Sequence, residues 1–142
     1  MKYHFHRHKE KTGYWAECIE LPGCRAQGED LSDLQNQCEE ALNLYLDEPE
    51  DSKLILPLPK PSVKLRPKII AVDVKPEIAF SFLMRRTRLK LGLTQHQMRE
   101  QLGFQTLYSY QKLESSRFAN PTLRSLVNIL KKLPQFPFKH LI

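Results

Sequence analysis

The chain has 142 residues, 41% of them hydrophobic, and a formal net charge of +6 at pH 7. That length bounds one ordinary domain or two small ones. No segment approaches the ~20 apolar residues of a membrane-spanning helix and the N-terminus has no apolar run, so a cytoplasmic protein with no membrane partner is expected. Cys18, Cys24 and Cys38 make an odd count without a C-x-x-C pair. That speaks against a zinc site or a disulfide framework, and reduced thiols are the simplest account. No metal and no cofactor is expected.

The charge is uneven. Residues 1–77 hold 11 Lys+Arg against 14 Asp+Glu, a net −3, and residues 78–142 hold 11 against 2, a net +9. A basic half suits a polyanion, because each neutralised phosphate releases counterions. An acidic half suits a basic protein, or is merely solvated surface.

Residues 2–9, KYHFHRHK, alternate: Tyr3 and Phe5 fall on one face of a strand, His4, His6 and His8 on the other. Three such histidines can ligate a metal, but no Cys or carboxylate cluster joins them nearby, and a wet strand face is the favoured reading. Lys11-Thr12-Gly13 turns the chain, and Tyr14 to Ile19 returns as the second strand of a hairpin. Leu21-Pro22-Gly23 turns it again, and Cys24 to Gly28 is a third strand. Asp30 or Ser32 then caps a helix reaching Leu46. Its inward stripe is Leu34, Cys38, Ala41, Leu42, Tyr45 and Leu46, with Glu39, Glu40 and Asn43 toward water. A meander crossed by one helix is the minimal pair of layers that buries a core.

Residues 49–68, with five prolines, read as extended chain, and the interleaved Leu54, Ile55, Leu56, Leu58 and Val63 suggest that it packs along something. Ile69 to Val74 is a fourth strand. Pro76 then opens the first helix of a basic module, with Phe80, Leu83, Met84, Thr87 and Leu91 on one face and Arg85, Arg86, Arg88 and Lys90 largely outside. Thr94 and Gln97 form a capping box for a short helix carrying Met98 and Leu102 inward, and Gly103 ends it. A second short helix runs from about Thr106 to Glu114, with Tyr110 and Leu113 inward and Leu107, Tyr108, Gln111 and Lys112 outward. Asn120-Pro121 opens a further helix, Asn as N-cap, with an apolar stripe of Leu123, Leu126, Leu130 and Leu133 and the basic end Lys131-Lys132.

Two short helices joined by a glycine turn make a helix-turn-helix, whose second helix enters the DNA major groove. Leu93-Thr94-Gln95, Gly103 and Leu113-Glu114 resemble the Xre/Cro-repressor type. Two positions depart from it: Arg99 stands where that family has a small residue, and the turn reads one residue longer, with Gln105 as the insert. Gln95, in the first turn of the first helix, can reach a phosphate oxygen, and Gln and Lys on the second helix suit base edges and phosphates, so Gln95, Gln105, Thr106, Tyr108, Gln111 and Lys112 are the candidate DNA contacts.

The stretch G-Y-W-A-E-C-I-E-L-P-G-C from Gly13 to Cys24, Gln27-Gly28, and E-A-L-N-L-Y-L from Glu40 to Leu46 resemble the HicB antitoxin family. That resemblance implies an α+β fold, with an N-terminal antiparallel sheet and one helix, partially RNase H-like, over residues 1–75. An all-α helix-turn-helix domain then fills residues 76–142. It implies a non-enzymatic antitoxin that neutralises a HicA-type basic ribonuclease and represses its own operon. Reading two half-sites ~34–36 Å apart implies a homo-oligomer, dimer or tetramer. Glu29, Asp30, Glu48 and Asp51 are the candidate toxin contacts. A repressor with an N-terminal ligand-sensing module, or a residual nuclease using Glu17, Glu29 and Asp30, are the alternatives. A two-metal nuclease needs several converging carboxylates, and no spaced set of them is visible in the sequence.

Overall fold

The structure, a computed structural model, describes residues 1–49 and 51–142. Position 50, inside the proline-rich stretch, lies outside the described residues. The chain is a mixed α+β protein that divides into two compact units. The first comprises Met1–Leu46 and Leu56–Lys75, the second Asp47–Ile55 and Pro76–Ile142. The expected junction at 75/76 coincides with one of the crossings, but Asp47–Ile55 belongs with the second unit.

That assignment redistributes the charge. Counting every residue of those ranges, the first unit holds 10 Lys+Arg against 9 Asp+Glu, a net +1. The second holds 12 against 7, a net +5. The acidic excess of residues 1–77 therefore comes from residues 47–55 and Glu77, which belong with the second unit.

The first unit is built on four strands: β1 (Lys2–Lys9), β2 (Tyr14–Cys18), β3 (Arg25–Gly28) and β4 (Ile69–Asp73). They form one antiparallel sheet in the order β3-β2-β1-β4, with Phe5 opposite Cys18 and Tyr3 opposite Val72. Alternation sends Tyr3, Phe5, Ala16, Cys18, Ala26 and Val72 into the core. Helix α1 (Leu31–Leu46) packs over that face and contributes Leu34, Cys38, Leu42 and Leu46.

The start of α1 is fixed by a reciprocal pair of caps. Asp30 accepts from the Asp33 N–H at 2.8 Å, and Asp33 accepts from the Glu29 N–H at 2.9 Å. Gly28 is required just before it, since a Cβ there would lie 2.4 Å from the Leu34 nitrogen.

Three side chains of α1 depart from expectation. Ala41 and Tyr45 are only half-buried, while Asn43 is buried. Asn43 donates to the Glu39 carbonyl at 2.7 Å and accepts from the Lys75 N–H at 2.8 Å, so both ends of its amide are satisfied by backbone.

The proline-rich chain splits in character. Leu54 and Ile55 are exposed, whereas Leu56, Leu58 and Val63 are half-buried. Its second part is tied to the sheet unit: the Tyr3 hydroxyl donates to the Pro57 carbonyl at 2.7 Å, and Arg7 reaches the Pro67 carbonyl at 3.0 Å.

The second unit contains α2 (Pro76–Lys90), α3 (Gln95–Leu102), α4 (Leu107–Gln111) and α5 (Leu123–Lys132). A 3-10 turn, Lys112–Glu114, prolongs α4, and another covers Phe138–His140. Phe80, Leu83, Met84, Met98, Leu102, Leu113, Ile129 and Leu133 are buried here.

Two arginines expected on the outside of α2 are instead buried, and Leu91 lies exposed beyond the helix end. Arg85 donates to the Glu48 carbonyl at 3.0 Å, which fastens the 47–55 segment to this unit. Burial lowers the pKa of Arg85 from its ordinary value, against the pull of Glu114, Glu48 and Asp47.

Helix α5 begins two residues later than expected. Thr122, not Asn120, is its N-cap, accepting from the Ser125 N–H at 3.1 Å. This start turns Leu123 outward, at 78% exposed, and sets Ile129 into the core in its place. Leu126 and Leu130 are half-buried and Leu133 is buried, as a stripe at this spacing requires.

Candidate nucleic-acid interface

The turn between α3 and α4 follows from local chemistry. The Thr94 side chain accepts from the Gln97 N–H at 3.2 Å, and the Gln97 side chain accepts from the Thr94 N–H at 2.8 Å. This is the capping box read from the sequence. Gly103, at φ +77, closes α3 in the left-handed region, and its N–H reaches the Arg99 and Glu100 carbonyls. Thr106 then caps α4 by accepting from the Ser109 N–H at 3.1 Å.

Arg99 is half-buried, and its guanidinium donates to the Phe104 carbonyl at 3.0 Å, bracing the corner. The end of α3 is held from α5 as well. The Leu102 carbonyl accepts from Asn128 at 2.9 Å and from the Lys132 ammonium at 3.2 Å.

Beneath α4 lies a charged hub. Glu114 is 4% exposed. The Arg88 guanidinium donates to its two oxygens at 2.6 and 3.2 Å, the Tyr110 hydroxyl donates to one, and Gln95 donates to the other at 2.9 Å. Arg88 also reaches the Leu93 carbonyl at 3.0 Å. Burial opposes the charge on Arg88, but its hydrogen bonds and attraction to Glu114 prevail and raise its pKa. Burial and the neighbouring carboxylate push the Tyr110 phenol well above its usual range, so it stays a donor.

The chain of contacts continues outward, since Gln111 donates to the Gln95 side-chain oxygen at 3.1 Å. Gln95, expected to reach a phosphate, thus bridges the buried carboxylate and Gln111. Each glutamine amide still has hydrogen-bonding capacity to spare.

The expected contact residues are placed as follows. Gln105 and Thr106 are exposed at the turn, Tyr108 is 61% exposed, and Gln111 and Lys112 are half-buried. The Lys112 ammonium sits 5.3 Å from the Tyr108 ring centroid, a cation–π distance. Leu107 is half-buried, while Tyr110 and Leu113 are buried as their spacing predicts. The structure therefore brings Gln95, Tyr108, Gln111 and Lys112 into one connected surface over the hub. The sequence had singled out Leu113-Glu114, but not the partner Arg88, which stands 26 residues away in sequence from Glu114.

The remaining candidates are divided between the two units. Glu29 and Asp30 are exposed at the start of α1, whereas half-buried Glu48 and exposed Asp51 belong to the second unit. Glu17 lies 3.7 Å from His8 and 3.8 Å from Arg25. The histidine face is less open than expected. All three imidazoles are half-buried, His8 stacks on Trp15 at 4.1 Å, and His6 contacts His8 at 3.1 Å.

His4 engages Glu20, a carboxylate 3% exposed that the sequence reading passed over. Glu20 also accepts from the His4 N–H at 3.0 Å and from the Cys18 thiol at 3.5 Å. Among the described residues no group of three or more His, Cys, Asp or Glu is arranged to hold a metal ion, and no helix is long and apolar enough to cross a membrane. Neither the known protein families nor the curated proteins contain a match to this chain.

Proposed function

We propose that the protein is a DNA-binding repressor and antitoxin. In this reading α3 and α4 act as a helix-turn-helix on duplex DNA, and the sheet unit neutralises a basic ribonuclease of the HicA type. The observation that carries the DNA half is the chain Arg88–Glu114–Gln95–Gln111. It runs from a buried ion pair to the outward side of α4, so two amides are held in place before any ligand arrives. Pre-set amides suit base edges, for which Gln is a bidentate partner, and Lys112 suits a phosphate. The net +5 of this unit supplies the sequence-independent attraction to a polyanion.

The antitoxin half rests on the resemblance of Gly13 to Cys24 and Glu40 to Leu46 to the HicB family. On the same reading the first unit is a partially RNase H-like fold used for binding and not for cleavage, and a homo-oligomer supplies two DNA-reading copies.

The test is a mobility-shift titration on DNA from upstream of the protein's own reading frame. Gln111→Ala with Lys112→Ala is expected to weaken binding about ten- to hundredfold in a folded protein, and loss of Lys112 to lower the salt slope by ~1. Unchanged affinity would remove α4 from the interface. Co-purification with the product of the adjacent reading frame tests the antitoxin half.

A further inference from the structure

β3 is an outer strand of the sheet and, among the described residues, pairs only with β2. The Cys18 N–H donates to the Cys24 carbonyl at 2.9 Å, in the register that sets Ala16 opposite Ala26 and Tyr14 opposite Gly28. Antiparallel pairs alternate between hydrogen-bonded and open positions. The backbone groups of Ala26 and Gly28 therefore turn toward β2, and the N–H and C=O of Arg25 and Gln27 turn away from the sheet. Among the described residues no other backbone group meets them.

Alongside this edge an open trough separates β3 from α1. Its two parts, about 520 and 360 Å³, share Gln27 and Gln37. The part nearer Arg25 is floored by Ala26, Ala41 and Leu44, a leucine 75% exposed. The part nearer Gly28 is walled by Glu10, Glu29 and Asp33. Glu40 borders the trough too, while of the flanking cations Arg25 points its guanidinium at Glu17 and Lys9 donates to the Tyr14 hydroxyl at 3.2 Å. Glu10, Glu29 and Glu40 form no ion pair among the described residues.

We propose that an extended segment of a partner protein docks here as a fifth strand, antiparallel to β3. Its backbone takes up the outward groups of Arg25 and Gln27. Side chains two residues apart share a face and lie ~6.6 Å from each other. An Arg or Lys in the segment thus meets Glu10, Glu29 and Asp33, and an apolar residue two positions later rests on Ala41 and Leu44. The recognised pattern is basic-x-apolar. A second copy of β3 fits poorly, because it brings at most one cation to four carboxylates. This inference rests on the protein-binding half of the proposed function and names where its basic partner would sit.

The test uses the 15N-labelled full chain and two acetylated octapeptides, one repeating Lys-Thr-Val-Thr, which sets Lys and Val two residues apart on one face, the other with Glu in place of each Lys. With the Lys peptide, the Arg25 and Gln27 amides are expected to shift and to exchange with solvent about tenfold more slowly. The Glu peptide should leave them unchanged. Gln27→Pro removes one outward N–H at an edge position that tolerates proline, and should weaken binding about tenfold, while Gln27→Ala should not.

Unchanged amides at saturating Lys peptide, or an equal response to both peptides, would overturn the proposal. Protection that appears on raising protein concentration alone would assign the edge to a second copy and overturn it equally. If a partner co-purifies while the Lys peptide leaves β3 untouched, the docking site fails and the antitoxin reading stands. If the peptide docks but no partner co-purifies, the surface stands and that reading fails.

Discussion

Among the described residues each unit hides one glutamate, and the two are satisfied differently. Glu114 meets a guanidinium through both oxygens, a phenol and a primary amide. Glu20 meets an imidazole, a backbone N–H, a thiol and, at 3.5 Å, the Lys60 N–H. Glu114 therefore has a permanent positive charge beside it and passes its order outward through Gln95 to Gln111. Glu20 turns inward and ties β1 to the chain that follows Pro57. A carboxylate that faces a surface through a relay can prepare a binding site, while one that closes on its own fold can only hold it.

Removing each carboxylate separates these roles. Glu114→Ala strands the Arg88 charge in the interior and is expected to cost ~3–5 kcal/mol in urea unfolding. Glu20→Ala leaves hydrogen-bonding groups of lower charge without a partner, and should cost ~1–3 kcal/mol. Equal losses would mean that the two sites are energetically alike. Thr94→Ala, which opens the capping box of α3, should cost ~1 kcal/mol and leave the sheet unit unaffected, as hydrogen exchange in each unit would show.

The subtlest contrast appears only in alkali. Burial pushes the thiols of Cys18 and Cys38 up to about 12 and that of Cys24 to about 11, and all three lie in the first unit. Their folded-state values exceed the ordinary thiol value of 9.0, so the unfolded chain loses protons first as pH rises. Stability from this source is intact below about pH 9 and declines as pH rises toward 11–12. Replacing all three by Ala should flatten that decline. An unchanged pH profile would show that the thiols are not its cause.

The contrast also explains what could be read from the sequence. Thr94, Gln97 and Gly103 act on backbone within a few residues, so the α3 corner was legible. The strands and α1 were legible for the same reason, through alternation and a helical stripe. Arg85, Arg88 and Asn43 were misread because their partners, Glu48, Glu114 and Lys75, come from distant segments that no periodicity reveals. Asn120-Pro121 is a sound helix start locally. Thr122, with Ser125 as its partner three residues on, competes for the role, and starting there places Ile129 rather than Leu123 inside. Glu20 escaped notice because a single acid beside a turn looks like solvated surface until the fold closes over it.

The Leu102 carbonyl takes both of its side-chain donors from α5. A version of the chain stopped before Leu123 would keep every residue of the two-helix corner, yet leave this oxygen stripped of the amide and the ammonium that anchor it. The corner's shape is thus on loan from a segment more than twenty positions downstream. Any attempt to transplant it into another scaffold must carry α5 along.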